Sequence, residues 1–167
     1  MTSLPELKAL QWKLYNLAVG AHVLYASTRH EVSATLTLTH PKYRPLRRII
    51  FAGDRPRRRI DVYEPSPLPL VDSPIVSIAI GEAEAVPNFA NPPRYIKWRE
   101  QEFRLHYCGD YACLTDSGAR DLRFMWYNFS TRGTASGATR LVFEQLGDEP
   151  WVATLQHTIP HDGVTIL

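Results

Sequence analysis

Residues 31–40 read Glu-Val-Ser-Ala-Thr-Leu-Thr-Leu-Thr-His. Val32, Ala34, Leu36 and Leu38 alternate with Ser33, Thr35, Thr37 and Thr39, and a period of two fits a strand covered on one face. This segment constrains the fold most, because the periodicity before it is different. Leu7, Leu10, Leu14, Leu17, Ala21 and Leu24 recur at spacings of three and four, as on a helix with one apolar stripe. Ser3 followed by Glu6 fits a capping box, and Pro5 is tolerated in a first turn whose amides have no acceptor within the helix. The spacing predicts a helix over about residues 4–27, with Gly20 as its weak point and the stripe facing a core.

Beyond residue 30 the chain keeps to short apolar runs separated by turn residues. RRIIFA and RRRIDVY flank Gly-Asp-Arg-Pro and read as a hairpin with a longer turn, and PIVSIAI is a further strand near residues 75–80. EPSPLPLVDSP and GEAEAVPNFANPPR read as loops, since proline cannot donate to a sheet ladder. From Tyr95 a meander follows through YIKWR, FRLHYC, YACLT, LRFMWYNFS, RLVFEQL and WVATLQHTI, the last two joined by Gly-Asp-Glu-Pro. LRFMWYNFS is apolar on both faces and belongs at the centre of a sheet. The tail HDGVTIL is a candidate for a last strand. The expected fold is α+β, in one domain spanning 1–167. One long N-terminal helix plugs or crosses a strongly curved antiparallel sheet or barrel of about eight strands, from about 31 to 160.

Within the meander, HYCGDYAC places His106, Cys108 and Cys113 around a Gly-Asp pair. Gly109 and Asp110 suit a two-residue hairpin turn, pairing Cys108 with Tyr111 and His106 with Cys113. The two cysteines then lie on one face about 7 Å apart, too far for a relaxed disulfide. Asp116, Ser117 and Asp121 in TDSGARD look like turn chemistry.

A chain of 167 residues, 44% of them hydrophobic, needs no disulfide or metal to be stable, and two cysteines fit a reducing, cytoplasm-like compartment. The first residues lack a basic and apolar leader, and no run approaches the roughly 20 apolar residues of a membrane span. A soluble, cytoplasmic protein without membrane contact is expected.

The net charge of +2 conceals an asymmetry. Residues 42–59 hold Lys42, Arg44, Arg47, Arg48, Arg55, Arg57, Arg58 and Arg59 against Asp54 alone. Eight cations less one anion leave this segment at +7 and the rest of the chain at −5. Guanidinium groups grip phosphate with a two-pronged fork, and a cluster of them attracts polyanions through counterion release. Tyr43, Phe51 and Tyr63 lie beside them as stacking surfaces. The same charges also suit a solvated hairpin that resists edge pairing, or one that pairs with Glu82, Glu84, Asp148 and Glu149.

Two other segments carry weaker signals. TRGTASGATR, residues 131–140, is a small-residue loop whose amides would make an anion-binding concavity with Arg132, Ser136 and Arg140, although it lacks the order of a P-loop. His157 and His161 share a strand face but lie about 13 Å apart, beyond the reach of one metal ion. No nucleophile motif or carboxylate pair accompanies them.

The sequence therefore points to a non-enzymatic binding protein without metal or cofactor. It would present the 42–59 hairpin to nucleic acid or to an acidic protein surface through Arg44, Arg47, Arg48, Arg55, Arg57, Arg58 and Arg59. A second reading is a barrel that holds a small ligand or an active site among Trp98, Phe103, Tyr107, Phe124, Trp126, Phe143 and Trp151. A third is a homo-oligomer in which the basic surface meets a second copy.

Overall fold

The computed structural model describes residues 4–41, 44–53, 59–65, 76–79, 84–85, 93–98, 100–115, 118–129, 139–159 and 163–167. Helix α1 (Leu4–Tyr15) opens the chain and stops well short of the expected end near residue 27. Asn16 terminates it: its amide and its Nδ2 both donate to the Trp12 carbonyl, at 3.0 and 2.9 Å. Gly20 follows at φ +88°, in the left-handed region. Its amide donates to the Val32 carbonyl, and the Val32 amide returns to Ala21. The chain is therefore already bonded to the sheet at the point where a longer helix would continue. Strand β1 (His22–Tyr25) comes next, with Val23 fully buried and Leu24 exposed. The three-and-four spacing broke down because Leu24, its last member, belongs to a strand and is exposed there, while Val23, which lies outside the stripe, is buried.

A two-residue turn at Ala26 and Ser27, both with positive φ, leads into β2 (Thr28–Thr39). Then come β3 (Leu46–Phe51), β4 (Arg59–Tyr63), β5 (Val76–Ala79), β6 (Glu84–Ala85) and β7 (Tyr95–Trp98). The chain finishes with β8 (Gln101–Thr115), β9 (Gly118–Phe129), β10 (Thr139–Leu146), β11 (Val152–Ile159) and β12 (Val164–Ile166). Strand order is β12-β1-β2-β3-β4-β5-β11-β10-β9-β8-β7, with β6 on β11. The described pairings are all antiparallel, as expected for consecutive strands joined by short connections.

The sheet is strongly curled. Thr37–Thr39 of β2 also pair with Ala112–Leu114 of β8, so the ladder through β2, β3, β4, β5, β11, β10, β9 and β8 returns to its start. At the other end of these two strands the same edges part. There β2 takes β1 along Thr28–Glu31, and β8 takes β7 along Gln101–Arg104. The curl is joined at one end and open at the other.

Burial follows the strand alternation. On the outer face of β3 and β4, Ile49, Phe51, Ile60 and Val62 pack with Val32 and Val23 against Leu14 of α1 and Leu17 just beyond it. A bulge between Val32 and Ala34 switches β2 from that face to the opposite one. Beyond it Leu36 and Leu38 pack with Leu46, Tyr63 and Leu146 inside the curl. A third cluster, Phe103, Leu141, Phe143, Trp151 and Ala153, covers the other side of β8, β10 and β11. Trp98 meets Phe143 edge-on there, at 5.7 Å. Phe103, Phe143 and Trp151 are thus buried in a core cluster.

The expected turn in HYCGDYAC is not one. Strand β8 runs straight through it, with Gly109 opposite Phe124 and Asp110 opposite Arg123, and its ladder with β9 closes at Thr115 opposite Gly118. Glycine in a strand weakens it locally, but a reversal at 109–110 would pair the segment with itself and cost β9 most of its ladder. Cys108 lies opposite Met125 and Cys113 opposite Arg120. Five positions on one strand separate them by about 16 Å, far beyond disulfide reach. The tail does add a last strand, β12, paired with β1. No helix among the described residues is long and apolar enough to cross a membrane.

Candidate functional site

Adjacent residues on a strand point to opposite faces, so the Arg47-Arg48 pair at the start of β3 is divided by geometry. Arg47 faces outward, half-buried, and its Nη2 donates to Thr35 Oγ1 at 3.0 Å. It acts at a distance on Tyr15 of α1. Partial burial pushes that phenol up, Glu64 adds to the shift, and the Arg47 guanidinium opposes it.

Arg48 faces inward and is 4% exposed. Its Nε and Nη2 donate to the two oxygens of Asp61, at 2.9 and 3.2 Å. Its Nη1 and Nη2 donate to the two oxygens of Glu144, at 2.9 and 2.7 Å. Arg59 grips Glu144 in the same bidentate way, at 2.9 and 3.0 Å, and brings its Nε within 3.8 Å of Asp61. Asp61 is 2% and Glu144 6% exposed. Register explains half of the cluster: Arg48 lies directly opposite Asp61 across the β3–β4 ladder, and Arg59 precedes Asp61 by two positions on the same face. Glu144 arrives from β10, on the far wall of the curl.

Two guanidiniums and two carboxylates sum to zero charge, which is what makes their joint burial tolerable. Burial alone would push the Arg48 guanidinium down, but Asp61 and then Glu144 outweigh it and hold it above its ordinary value. Burial alone would push the Glu144 carboxyl up, and Arg48 and Arg59 outweigh that and hold it below the usual carboxylate range. Arg48 and Glu144 therefore stay ionised near neutral pH, and each paired oxygen of Glu144 accepts from two arginines, a charge-assisted geometry.

The arginines singled out in the sequence thus fall into three groups. Arg48 is buried and Arg59 half-buried, and both are paired with the chain's own acids inside the curl. Those acids are Asp61 and Glu144, whereas Asp148 and Glu149 are exposed at the β10–β11 turn. Arg44 and Arg47 line the outer stem of the hairpin, half-buried, with Arg44 Nη1 donating to the Glu64 carbonyl at 3.2 Å. Arg55, Arg57 and Arg58 lie outside the described residues, as do Lys42, Tyr43, Arg132, Ser136 and His161. Arg140 is the second residue of β10, opposite Asn128 and Gln156, and His157 stands on β11 opposite Ile78 and Thr139.

Sequence reasoning missed Asp61 and Glu144. The signal for Asp61 was local: Arg-x-Asp at a spacing of two, on a strand paired with another arginine. Glu144 left only the oddity of one acid within the apolar run RLVFEQL. Among the described residues, no group of three or more His, Cys, Asp or Glu is placed to hold a metal ion. Set against known protein families, curated proteins and solved structures, the chain matches none.

Proposed function

We propose that this is a non-enzymatic binding protein that offers the basic β3–β4 hairpin to nucleic acid or to an acidic protein surface. The observation that carries the reading is the charge left after the internal pairing. Arg48 and Arg59 are consumed by Glu144 and Asp61, yet the sequence of residues 42–59 still holds Lys42, Arg47, Arg55, Arg57 and Arg58 against Asp54 alone. The stem beneath them is firm. Ile49 and Ile60 are fully buried under the helical segment, and Arg48 ties the hairpin to β10 from within. A rigid stem carrying excess guanidinium is the arrangement that fixes a phosphate-rich or carboxylate-rich partner.

The returning ladder supports the finer reading of the fold as an eight-stranded barrel. In a barrel of that size side chains fill the interior. Here the charged cluster spans the space between β3, β4 and β10, where an enclosed ligand would sit, and this favours the outer surface over the ligand-cavity reading. A cytoplasmic location accords with the two cysteines placed apart on one strand.

The test is titration of labelled duplex and single-stranded oligonucleotides at low salt, comparing the protein with an Arg55→Ala, Arg57→Ala, Arg58→Ala triple variant. Affinity should fall steeply with salt, and the triple variant should lower the salt slope by roughly 2 to 3. Polyglutamate tests the acidic-protein arm in the same way. Absence of binding to all of these at low salt, or binding indifferent to the triple substitution, sinks the reading.

A further inference from the structure

We propose that the outer edge of β7 is a dimerisation surface, on which a second copy of this chain adds its own β7 antiparallel across a two-fold axis. This surface is separate from the β3–β4 hairpin and does not depend on what the hairpin binds.

The edge follows from the hydrogen-bond parity of the β7–β8 ladder. The Leu105 amide donates to the Arg94 carbonyl at 2.8 Å, and the register runs on from Tyr95 opposite Arg104 to Trp98 opposite Gln101. In an antiparallel ladder, hydrogen-bonded pairs alternate with pairs that are not bonded. Arg94, Ile96 and Trp98 therefore turn their backbone groups toward β8, and Tyr95 and Lys97 turn theirs away from it. β7 ends the strand path, and no strand among the described residues lies beyond it. The amides and carbonyls of Tyr95 and Lys97 at that edge form a template for another strand.

The edge complements itself in one register. Centred on Ile96, that register sets Tyr95 opposite Lys97 of the second copy and Lys97 opposite its Tyr95, so every outward amide meets an outward carbonyl. Ile96 then meets Ile96 of the second copy on the face that carries Phe103 and Trp98, and the apolar cluster there extends across the axis. On the opposite face Tyr95, 48% exposed, meets an exposed Lys97, a ring and an ammonium suited to cation–π contact. Each Lys97 also lies opposite Glu102 of its own β8, which meets its charge within the same row. The adjacent registers of the same parity fail. Centred on Lys97, the strands set two ammoniums against each other; centred on Tyr95, they bring Pro93, which has no amide, opposite Lys97. Lysine on an edge strand guards against indiscriminate pairing, and here it selects one register. A two-fold contact uses the same edge of both copies and stops at a dimer.

The experiment measures the mass of the full chain by analytical ultracentrifugation from micromolar to near-millimolar concentration, with amide hydrogen exchange at both ends of that range. The parent should pass from monomer to dimer, and the amides of Tyr95 and Lys97 should gain about tenfold or more protection as it does. Lys97→Pro removes an amide that faces away from β8, so it leaves the β7–β8 bonds intact and should weaken dimerisation about tenfold or more. Tyr95→Lys sets lysine against lysine and should weaken it about tenfold; adding Lys97→Glu sets opposite charges face to face and should restore it to within about threefold of the parent. Circular dichroism and melting confirm that each variant is folded, and should Lys97→Pro fail to fold, the charge exchange carries the test. The Arg55→Ala, Arg57→Ala, Arg58→Ala variant should dimerise like the parent. The proposal is overturned if the chain stays monomeric throughout, if the dimer leaves the Tyr95 and Lys97 amides unprotected, or if Tyr95→Lys dimerises as tightly as the parent. Loss of the dimer on the hairpin variant, with none on Tyr95→Lys, would put the contact on the basic surface and overturn it too.

Discussion

Arg47 and Arg48 are the same residue one position apart on one strand, and their fates are opposite. Arg47 lies on the outer face with a single hydrogen bond to Thr35 and keeps part of its surface in water. Arg48 lies inside the curl and makes four hydrogen bonds to two carboxylates. Charge counting treats the two as one basic patch. Strand alternation separates them into an outer, half-buried cation and an interior cation that holds two walls of the sheet together. A cluster of arginines on a strand must therefore be halved by face before it is read as a binding site.

The largest expected effect tests the interior half. Arg48→Ala or Glu144→Ala leaves buried charge without its partner and should cost about 3–5 kcal/mol, read from urea unfolding; a cost below about 1 kcal/mol would put Arg48 on a par with Arg47 and erase the comparison. Arg48→Met combined with Glu144→Leu removes both charges together. Its loss should be smaller than the sum of the single losses by about 2 kcal/mol or more, because the pair is coupled. Strict additivity in that cycle would contradict the geometry.

The pH dependence sharpens the same point. Glu144 has a folded pKa below its ordinary 4.5, so its contribution is fully present above about 4.5 and is lost as the pH falls through the lowered folded value. Urea midpoints should drop more steeply below pH 4.5 for the parent than for Glu144→Gln, by up to about 1.4 kcal/mol per pH unit. Should that variant prove too unstable, the Arg48→Met, Glu144→Leu double variant serves as reference. Parallel slopes would mean that Glu144 does not titrate as a buried partner.

The smallest effect belongs to the outer half. Arg47→Ala loses one hydrogen bond at a half-buried site and should cost about 0.5–1.5 kcal/mol, while weakening polyanion binding at low salt. A destabilisation as large as that of Arg48→Ala would show that the outer face is structural too.

Several elements were legible from residue order. The alternation in EVSATLTLTH became β2, RRIIFA and RRRIDVY became the β3–β4 hairpin, and PIVSIAI contains β5. Gly147, at φ +55°, turns β10 into β11 where Gly-Asp-Glu-Pro predicted a reversal. The misreadings share a cause. The apolar stripe of residues 7–24 suited a long helix, but Asn16 and Gly20 let its last part join the sheet. The β1–β2 turn at Ala26 and Ser27 carries none of the usual glycine or asparagine signals of a positive-φ turn. At HYCGDYAC a strong local turn signal yielded to the β8–β9 ladder.

Sequence by itself determined the elements that local chemistry controls: where side chains alternate along a strand, and how much positive charge falls between residues 42 and 59. Only the tertiary structure decided which of those charges remain outside. Glu144 is 96 residues from Arg48, and nothing in either strand names the other. Closing the curl brought them together, because a buried guanidinium is stable only where the fold supplies carboxylates to meet it.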